Sequence, residues 1–496
     1  MFGNAALINM LSGWKPGKVM QTAYDTAWVA RLGGLDIAMS NRALNWICEN
    51  QLPDGSWGAA KPLYYHDRVI STLAAMTALC RRGRRASDHQ QVQKGLAALE
   101  RISGGATHGL MADPHGATAG FEMIVPTLVS EAESLGILKR QGDRILGRLS
   151  KLRSAKLARL NGQVINRSIT MAFSAEMAGP DHQHLLNLDD LQEENGSVAY
   201  NPSTTAYYAT HACHGDPGAI SYLQDVVDEN GGAPIAAPFD VYERAWVLWN
   251  IALTGSLDPE VLAYCKPHLD YLENAWVSGR GVGFGTGYSI QDGDDTSLVA
   301  AVLHHFGRSI DLATIENYEE QDHFRCFHLE VNPSVSTNVH FLDVFRRLEL
   351  PAHHPAVRKI IHYLHKTRIG DRFWFDKWHV SPYYTSAHVV IACSDYDHAL
   401  AAQAIEWIVE TQNEDGSWGF YLPSAEETAY ALQALCSWNG NGGKGTKQCV
   451  QKGAEWLKDH MQPPYPALWI AKTLYYSEWV IRAEIISALI MADQKR

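Results

Sequence analysis

Three carboxylates stand within four residues in Gln291-Asp-Gly-Asp-Asp-Thr-Ser297, at Asp292, Asp294 and Asp295, directly before the apolar run Leu298-Val-Ala-Ala-Val-Leu303. Two readings of this run are open. Acids at the start of a helix can serve as N-cap and first-turn residues that complement the positive end of its dipole. Crowded carboxyls also cannot all ionise, so one keeps its proton at neutral pH and becomes available as a Brønsted acid. Burial against apolar surface favours the second state, because desolvation opposes charge. The nearby Gly279-Arg-Gly-Val-Gly-Phe-Gly-Thr-Gly287 fits no dinucleotide-loop register and follows no strand pattern, so it is read as a structural turn.

The elements that must hold these acids are announced by an internal repeat. Ala43–Gly58 reads ALNWICENQLPDGSWG and Ala404–Gly419 reads AIEWIVETQNEDGSWG, identical at ten of sixteen positions. In each copy apolar residues recur at helical spacing before Asp-Gly turns the chain, and a second helical pattern follows. Degenerate copies occur at Asn195-Gly-Ser, Gly281-Val-Gly-Phe-Gly and Phe373-Trp-Phe. The unit is helix, glycine turn, helix. Such a hairpin buries its apolar face only against its neighbours, which predicts rings of inner and outer helices ahead of an open solenoid. Asn230-Gly-Gly-Ala-Pro-Ile-Ala-Ala-Pro238 is the best linker.

Composition narrows the function. The chain has 496 residues, 46% of them hydrophobic, with a formal charge of -12. That apolar content excludes disorder throughout. The acidic balance, read as lacking any basic block, argues against nucleic acid and anionic membrane as main partners. The eight cysteines form no CxxC pair and are expected to be reduced thiols. Met1–Lys18 has no secretory-leader pattern and no apolar run reaches the ~18–20 residues of a spanning helix, so a cytoplasmic protein without a transmembrane segment is expected.

Ala23-Tyr-Asp-Thr-Ala-Trp28, the two Asp-Gly-Ser-Trp-Gly segments, His66-Asp-Arg68 and Asp292-Gly-Asp-Asp295-Thr together resemble the class II diterpene cyclases, the family of copalyl, halimadienyl and kolavenyl diphosphate synthases. Phe121-Glu-Met-Ile-Val-Pro126, Asp376-Lys-Trp378 and Leu468-Trp-Ile-Ala-Lys-Thr-Leu-Tyr475 extend the match over about residues 20–485. The resemblance implies an all-α fold of two (α/α) double-barrel domains. One, called β, would comprise 1–30 and 236–496 and carry the acid motif; the other, γ, would comprise 31–235.

The implied chemistry is protonation-initiated cyclisation of geranylgeranyl diphosphate to a bicyclic diterpenyl diphosphate. Asp294 would protonate the terminal alkene, with Asp292 and Asp295 holding and tuning it and His340 as its hydrogen-bond partner. Lys472, Lys377 and Arg482 are candidates for the diphosphate end, and Glu122 for Mg2+. Phe173 and Ile235 fall where plant relatives place a His/Asn base pair, and neither can accept a proton. A longer-lived cation and a rearranged, halimane- or clerodane-type product are therefore expected. The retained diphosphate implies a downstream class I terpene synthase or phosphatase. Asp189-Asp-Leu-Gln-Glu193 is formally similar to the class I magnesium motif but lacks a second metal-binding segment, and is read as a solvated acidic stretch. Two alternatives stand beside this reading: farnesyl diphosphate cyclised to a drimane-type diphosphate, and a non-catalytic helical toroid that binds an isoprenoid or a protein.

Overall fold

A computed structural model describes residues 3–17, 19–83, 85–112, 117–139, 145–256, 258–328, 330–439 and 444–495, with 103–112 and 444 described by backbone alone. The repeated turn is a hydrogen-bonded staple. Asp54 accepts the backbone N–H and hydroxyl of Ser56, Gly55 adopts φ 87°, and the Trp57 indole donates to Ile47 O. A Cβ at Gly55 would lie 2.7 Å from Lys94 O, so both the left-handed backbone and the close approach require glycine. The Trp57 backbone N–H then donates to Thr72 Oγ1 on the following helix at 3.0 Å. Asp415, Gly416, Ser417 and Trp418 reproduce each of these bonds with Ile408 and Thr428. The degenerate copies all keep the bond to the next helix, from Val198 to Thr205, Val282 to Thr296 and Trp374 to Ser386; the first also keeps the Ser197 N–H and hydroxyl bonds to Asn195 Oδ1, and the last the indole bond from Trp374 to Leu364 O. A further copy, Phe324 to Asn338 at 2.8 Å, carries no sequence signature.

Each staple hands the chain from an outer helix to an inner one. Six inner helices, Asp240–Leu253, Gly293–His305, Val335–Arg347, Pro382–Cys393, Ala425–Ser437 and Glu478–Gln494, pack each on the next, and the last returns to the first. Five outer helices follow in sequence, and Asn4–Gly13 fills the sixth seam between Glu478–Gln494 and Pro259–Ala275. The ring is closed, not a solenoid. Closure leaves no inner helix with a wet face: all twelve residues of Pro382–Cys393 are buried.

A smaller ring precedes it, from Ala23–Ala30, Tyr65–Arg82, Phe121–Ser134, the 3-10 segment Thr170–Ala178 and Pro202–Tyr207, whose first and last members meet. The fold is the expected all-α pair of double barrels. The domain boundary at residue 30 needs correction. Leu7 to Val19 join the core of the large ring, but Ala23–Ala30 lie in the core of the small one, so the chain crosses between Val19 and Ala23. On the return, Ala233 belongs to the small core and Ile235 to the large one. The strand pair Gln21–Thr22 with Ala233–Pro234 ties these two crossings together. Among the described residues no helix is long and apolar enough to cross a membrane.

Candidate active site

Between the rings lies a cavity of about 840 Å³, lined by both. The small ring contributes Phe121, Phe173 and Met177; the large ring contributes Ile235, Phe239, Tyr242, Trp469 and Tyr475. This size falls in the usual range for ligand pockets, and the walls are mostly apolar and aromatic. Phe239 and Tyr242 sit 4.5 Å apart by ring centroid, and Tyr242 meets Trp469 edge-on at 5.6 Å. Aromatic faces of this kind attract a cation without offering it a strong nucleophile.

All three aspartates reach this cavity. Asp292 is the N-cap of Gly293–His305, accepting the Asp295 N–H at 2.8 Å. Burial raises the Asp292 carboxyl to about 7, against that N–H bond and aided by the Asp294 charge. Asp295 is raised well above the ordinary carboxyl range, first by burial and then by its two neighbours. Burial thus biases the Asp292–Asp295 pair toward retaining a proton, while Asp292 also caps the helix.

Asp294 is the member that projects into the cavity, with its side chain 16% exposed and its Oδ1 2.8 Å from His340 Nδ1. His340 Nε2 lies 3.3 Å from Nδ1 of His388, on the next inner helix. Burial holds His388 well below the ordinary histidine range, so it is neutral. The tautomers that satisfy this chain run in one direction: His388 Nδ1–H donates to His340 Nε2, and His340 Nδ1–H donates to Asp294 Oδ1. The His388 Nε2 left over is bare, in keeping with its lack of a partner among the described residues. Such a chain aims one N–H at Asp294 Oδ1 and leaves Oδ2 without a hydrogen-bond partner among the described residues. His388 was not anticipated from sequence; its spacing of 48 residues from His340 carries no pattern.

Two expected diphosphate ligands are elsewhere. Lys472 is fully buried, lines no part of the cavity, and donates to Glu176 Oε1 at 2.6 Å, Asn201 Oδ1 at 2.8 Å, Ser203 Oγ at 2.9 Å and Thr204 Oγ1 at 2.7 Å. Its role is to lock the turn between Trp469–Ile470 and Leu474–Tyr475 of the large ring into the small ring. Neighbouring bonds from Leu474 N–H to Asp67 and from Ala119 N–H to Ala471 O reinforce that joint. Asp25, from the Ala23–Trp28 motif, accepts from Asn201 and Ser203 beside it. Arg482 pairs with Glu478 one helical turn away and also lies off the cavity.

Lys377 does line the cavity, donating to Asn332 O at 3.0 Å with its side chain 21% exposed. Facing it across the opening are Arg148, Lys156 and Arg159, which sequence reading missed. Their signal was present: residues 139–159 hold eight Lys or Arg against one Asp, so the chain does contain a basic block. Whole-chain charge concealed it. Glu122 lines the same region and is paired with Lys156. Among the described residues no three His, Cys, Asp or Glu side chains cluster as a metal site. Phe173 and Ile235 both line the cavity and supply no side-chain acceptor.

Residues 326–472 match the squalene-hopene cyclase C-terminal domain. The chain is 46% identical to a type B diterpene cyclase of Mycobacterium tuberculosis over 96% of both chains. It is 30% identical to a labda-7,13-dienyl diphosphate synthase of Streptomyces clavuligerus, over 99% of this chain and 93% of that one. The structure superposes on an ent-copalyl diphosphate synthase from Streptomyces platensis with a TM-score of 0.80 and 27% identity, covering 99% of this chain and 98% of the other. These likenesses span both rings and the cavity between them, and displace the non-catalytic toroid: the chain belongs to the class II diterpene cyclases.

Proposed function

We propose that this enzyme cyclises geranylgeranyl diphosphate by proton transfer from Asp294 and releases a rearranged bicyclic diterpenyl diphosphate. The observation that carries the reading is Asp294 itself, lining the largely apolar cavity with Oδ1 on His340 and no hydrogen-bond partner for Oδ2 among the described residues. The Oδ2 proton passes to the terminal alkene, whose π electrons form the new C–H bond. Asp294 is left as carboxylate, held by the His340 N–H and the helix N-terminus. Internal alkenes then close two rings on the cation, and the aromatic walls shield it from water. The rearranged cation then loses a proton to a weak base, water or a diphosphate oxygen, the Asp294 carboxylate regains a proton from solvent, and the diphosphate stays attached for a downstream class I synthase or phosphatase.

Lys377, Arg148 and Arg159 are placed to receive the diphosphate oxygens at the opening. Glu122 together with those oxygens makes a donor set that suits Mg2+, which is commonly bound by one or two carboxylates plus substrate phosphate. The metal would neutralise diphosphate charge there. With Phe173 and Ile235 in the wall, a bicyclic cation meets no strong base nearby, which favours hydride and methyl shifts before proton loss. The twenty-carbon substrate is favoured over farnesyl diphosphate by the diterpene products named for the relatives.

The test is incubation of purified protein with each prenyl diphosphate and Mg2+, then phosphatase and mass spectrometry. A halimane- or clerodane-type alcohol from geranylgeranyl diphosphate is expected. Unrearranged copalol would overturn the product assignment, and turnover of farnesyl diphosphate alone would overturn the substrate.

A further inference from the structure

The helix Leu149–Ala158 at the opening of the cavity is unlike every other long helix of the fold. None of its residues is buried. Its sequence, LSKLRSAKLA, is flanked by Arg148 and Arg159, and no Asp or Glu occurs between residues 145 and 175. Leu152 is 52% exposed, and Val331 on the opposite lip is 47% exposed. The cavity thus opens between two projecting apolar side chains set among cations, on a protein whose formal charge is -12. Lys151 is exposed and lies off the cavity, so the positive face of the helix extends beyond what a diphosphate in the site would touch.

We propose that this helix docks the opening of the cavity on an anionic lipid bilayer. Basic residues gather at the negative surface while the leucine side chain enters the headgroup boundary, as in interfacial amphipathic helices. The arrangement meets a need of the proposed reaction, and in that respect rests on it: a prenyl diphosphate is an amphiphile whose hydrocarbon chain favours a membrane over water. Lips resting on the bilayer let the chain pass into the apolar cavity without crossing water. The overall acidity of the molecule orients it, since the remaining surface is repelled by the same lipids.

The experiment is co-sedimentation of the full chain with vesicles of phosphatidylglycerol mixed with phosphatidylcholine, beside pure phosphatidylcholine, with no prenyl diphosphate present. Binding to the anionic vesicles alone, reversed by salt, is expected. Each unit of charge near such a surface is worth roughly five-fold in partitioning, so the two-unit change of Lys151→Glu should weaken binding roughly twenty-five-fold. Ser154→Glu, at an exposed position off the cavity, should add to that loss. Both variants should turn over detergent-dispersed geranylgeranyl diphosphate at the wild-type rate. Absence of anionic-vesicle binding at low salt overturns the proposal. So does equal pelleting of wild type and the double variant, or capture of an acidic protein by a helix that ignores vesicles. Because the assay contains no substrate, its failure is separable from failure of the proposed reaction.

Discussion

Three inner helices of the large ring begin with buried acids, and only one of them sets its carboxyls against the cavity. Ala425–Ser437 opens with Glu426 and Glu427, and Gly293–His305 opens with Asp294 and Asp295 behind the Asp292 cap. Glu426 Oε1 collects donors from Trp469, Tyr430 and His379 at 2.7, 3.1 and 3.2 Å. Glu427 accepts from the Phe420 N–H and the Ser424 hydroxyl, one on each oxygen. Neither glutamate lines the cavity. Asp294 lines the cavity and has a single side-chain hydrogen-bond partner among the described residues, His340. An acidic helix start is therefore common equipment of this barrel; what distinguishes the site is an unengaged carboxyl oxygen in an apolar chamber.

The sharpest way to break that contrast is to neutralise each acid in turn. Asp294→Asn should lower the cyclisation rate by about 10⁴-fold, at the upper end of what one general acid contributes. Glu427→Gln should keep most of the turnover of the folded protein and lower its melting temperature, because both oxygens serve local structure. Product formation by mass spectrometry, normalised to folded protein by circular dichroism, decides between them. Loss of turnover in folded Glu427→Gln comparable to that in Asp294→Asn would make the two helix starts equivalent and sink the distinction.

The lysines offer a second contrast. Lys472 and Lys377 share a residue type and a proposed role in sequence, and the fold separates them into a buried joint and an opening. Lys472→Met leaves Glu176 in the interior without its cation and should cost about 3–5 kcal/mol of stability, read as a lowered thermal midpoint. Lys377→Met should raise KM for the prenyl diphosphate and lower the midpoint less than Lys472→Met, since its partner Glu330 keeps the Cys326 and Phe327 N–H donors. A Lys472 variant of normal stability and raised KM would return that residue to the substrate.

What the sequence made legible was local. The glycine staples and their helical hairpins are short patterns and announced the ring architecture, and the aspartate run marked a helix start; His340, Phe173 and Ile235 came only through the family resemblance, and all three reach the site, His340 through Asp294 and the other two as cavity lining. Lys472 was misread because its acceptors lie 268–296 residues away, a pairing no local pattern encodes. Ala23–Ala30 was assigned to the wrong ring because all its residues are buried, so its sequence has no wet face to indicate a side. Arg148, Lys156 and Arg159 were lost in a whole-chain average. His388 and the staple at Phe324–Asn338 depend on contacts between helices and have no signature in either segment.

His340→Asn tests how far the acid depends on its partner. Without the N–H held at Oδ1, the negative charge that develops on Asp294 during proton transfer loses its hydrogen-bond partner, so kcat should fall about 10²-fold with KM little changed. A fall in KM-governed binding at constant kcat would instead assign His340 to cavity shape.

The smallest effect concerns the cap. Asp292 titrates near 7 in the folded protein, above its ordinary carboxyl value, chiefly through burial. A raised folded pKa means that its contribution to stability is complete at acid pH below about 4 and is lost as pH rises through about 7. The same ionisation places a negative charge beside Asp294 and opposes the charge that develops there as the proton is transferred, which slows the step. kcat should therefore decline on the alkaline side with a midpoint near 7, by several-fold and not to zero. Asn caps helices about as well as Asp, so Asp292→Asn keeps the Asp295 N–H bonded while removing the titration. In that variant the alkaline decline should flatten or move upward as Asp295 takes over as the remaining neighbour that ionises. If kcat-against-pH curves of Asp292→Asn and wild type coincide, the cap does not tune the acid, and the difference between the aspartate and glutamate helix starts reduces to the free oxygen of Asp294 alone.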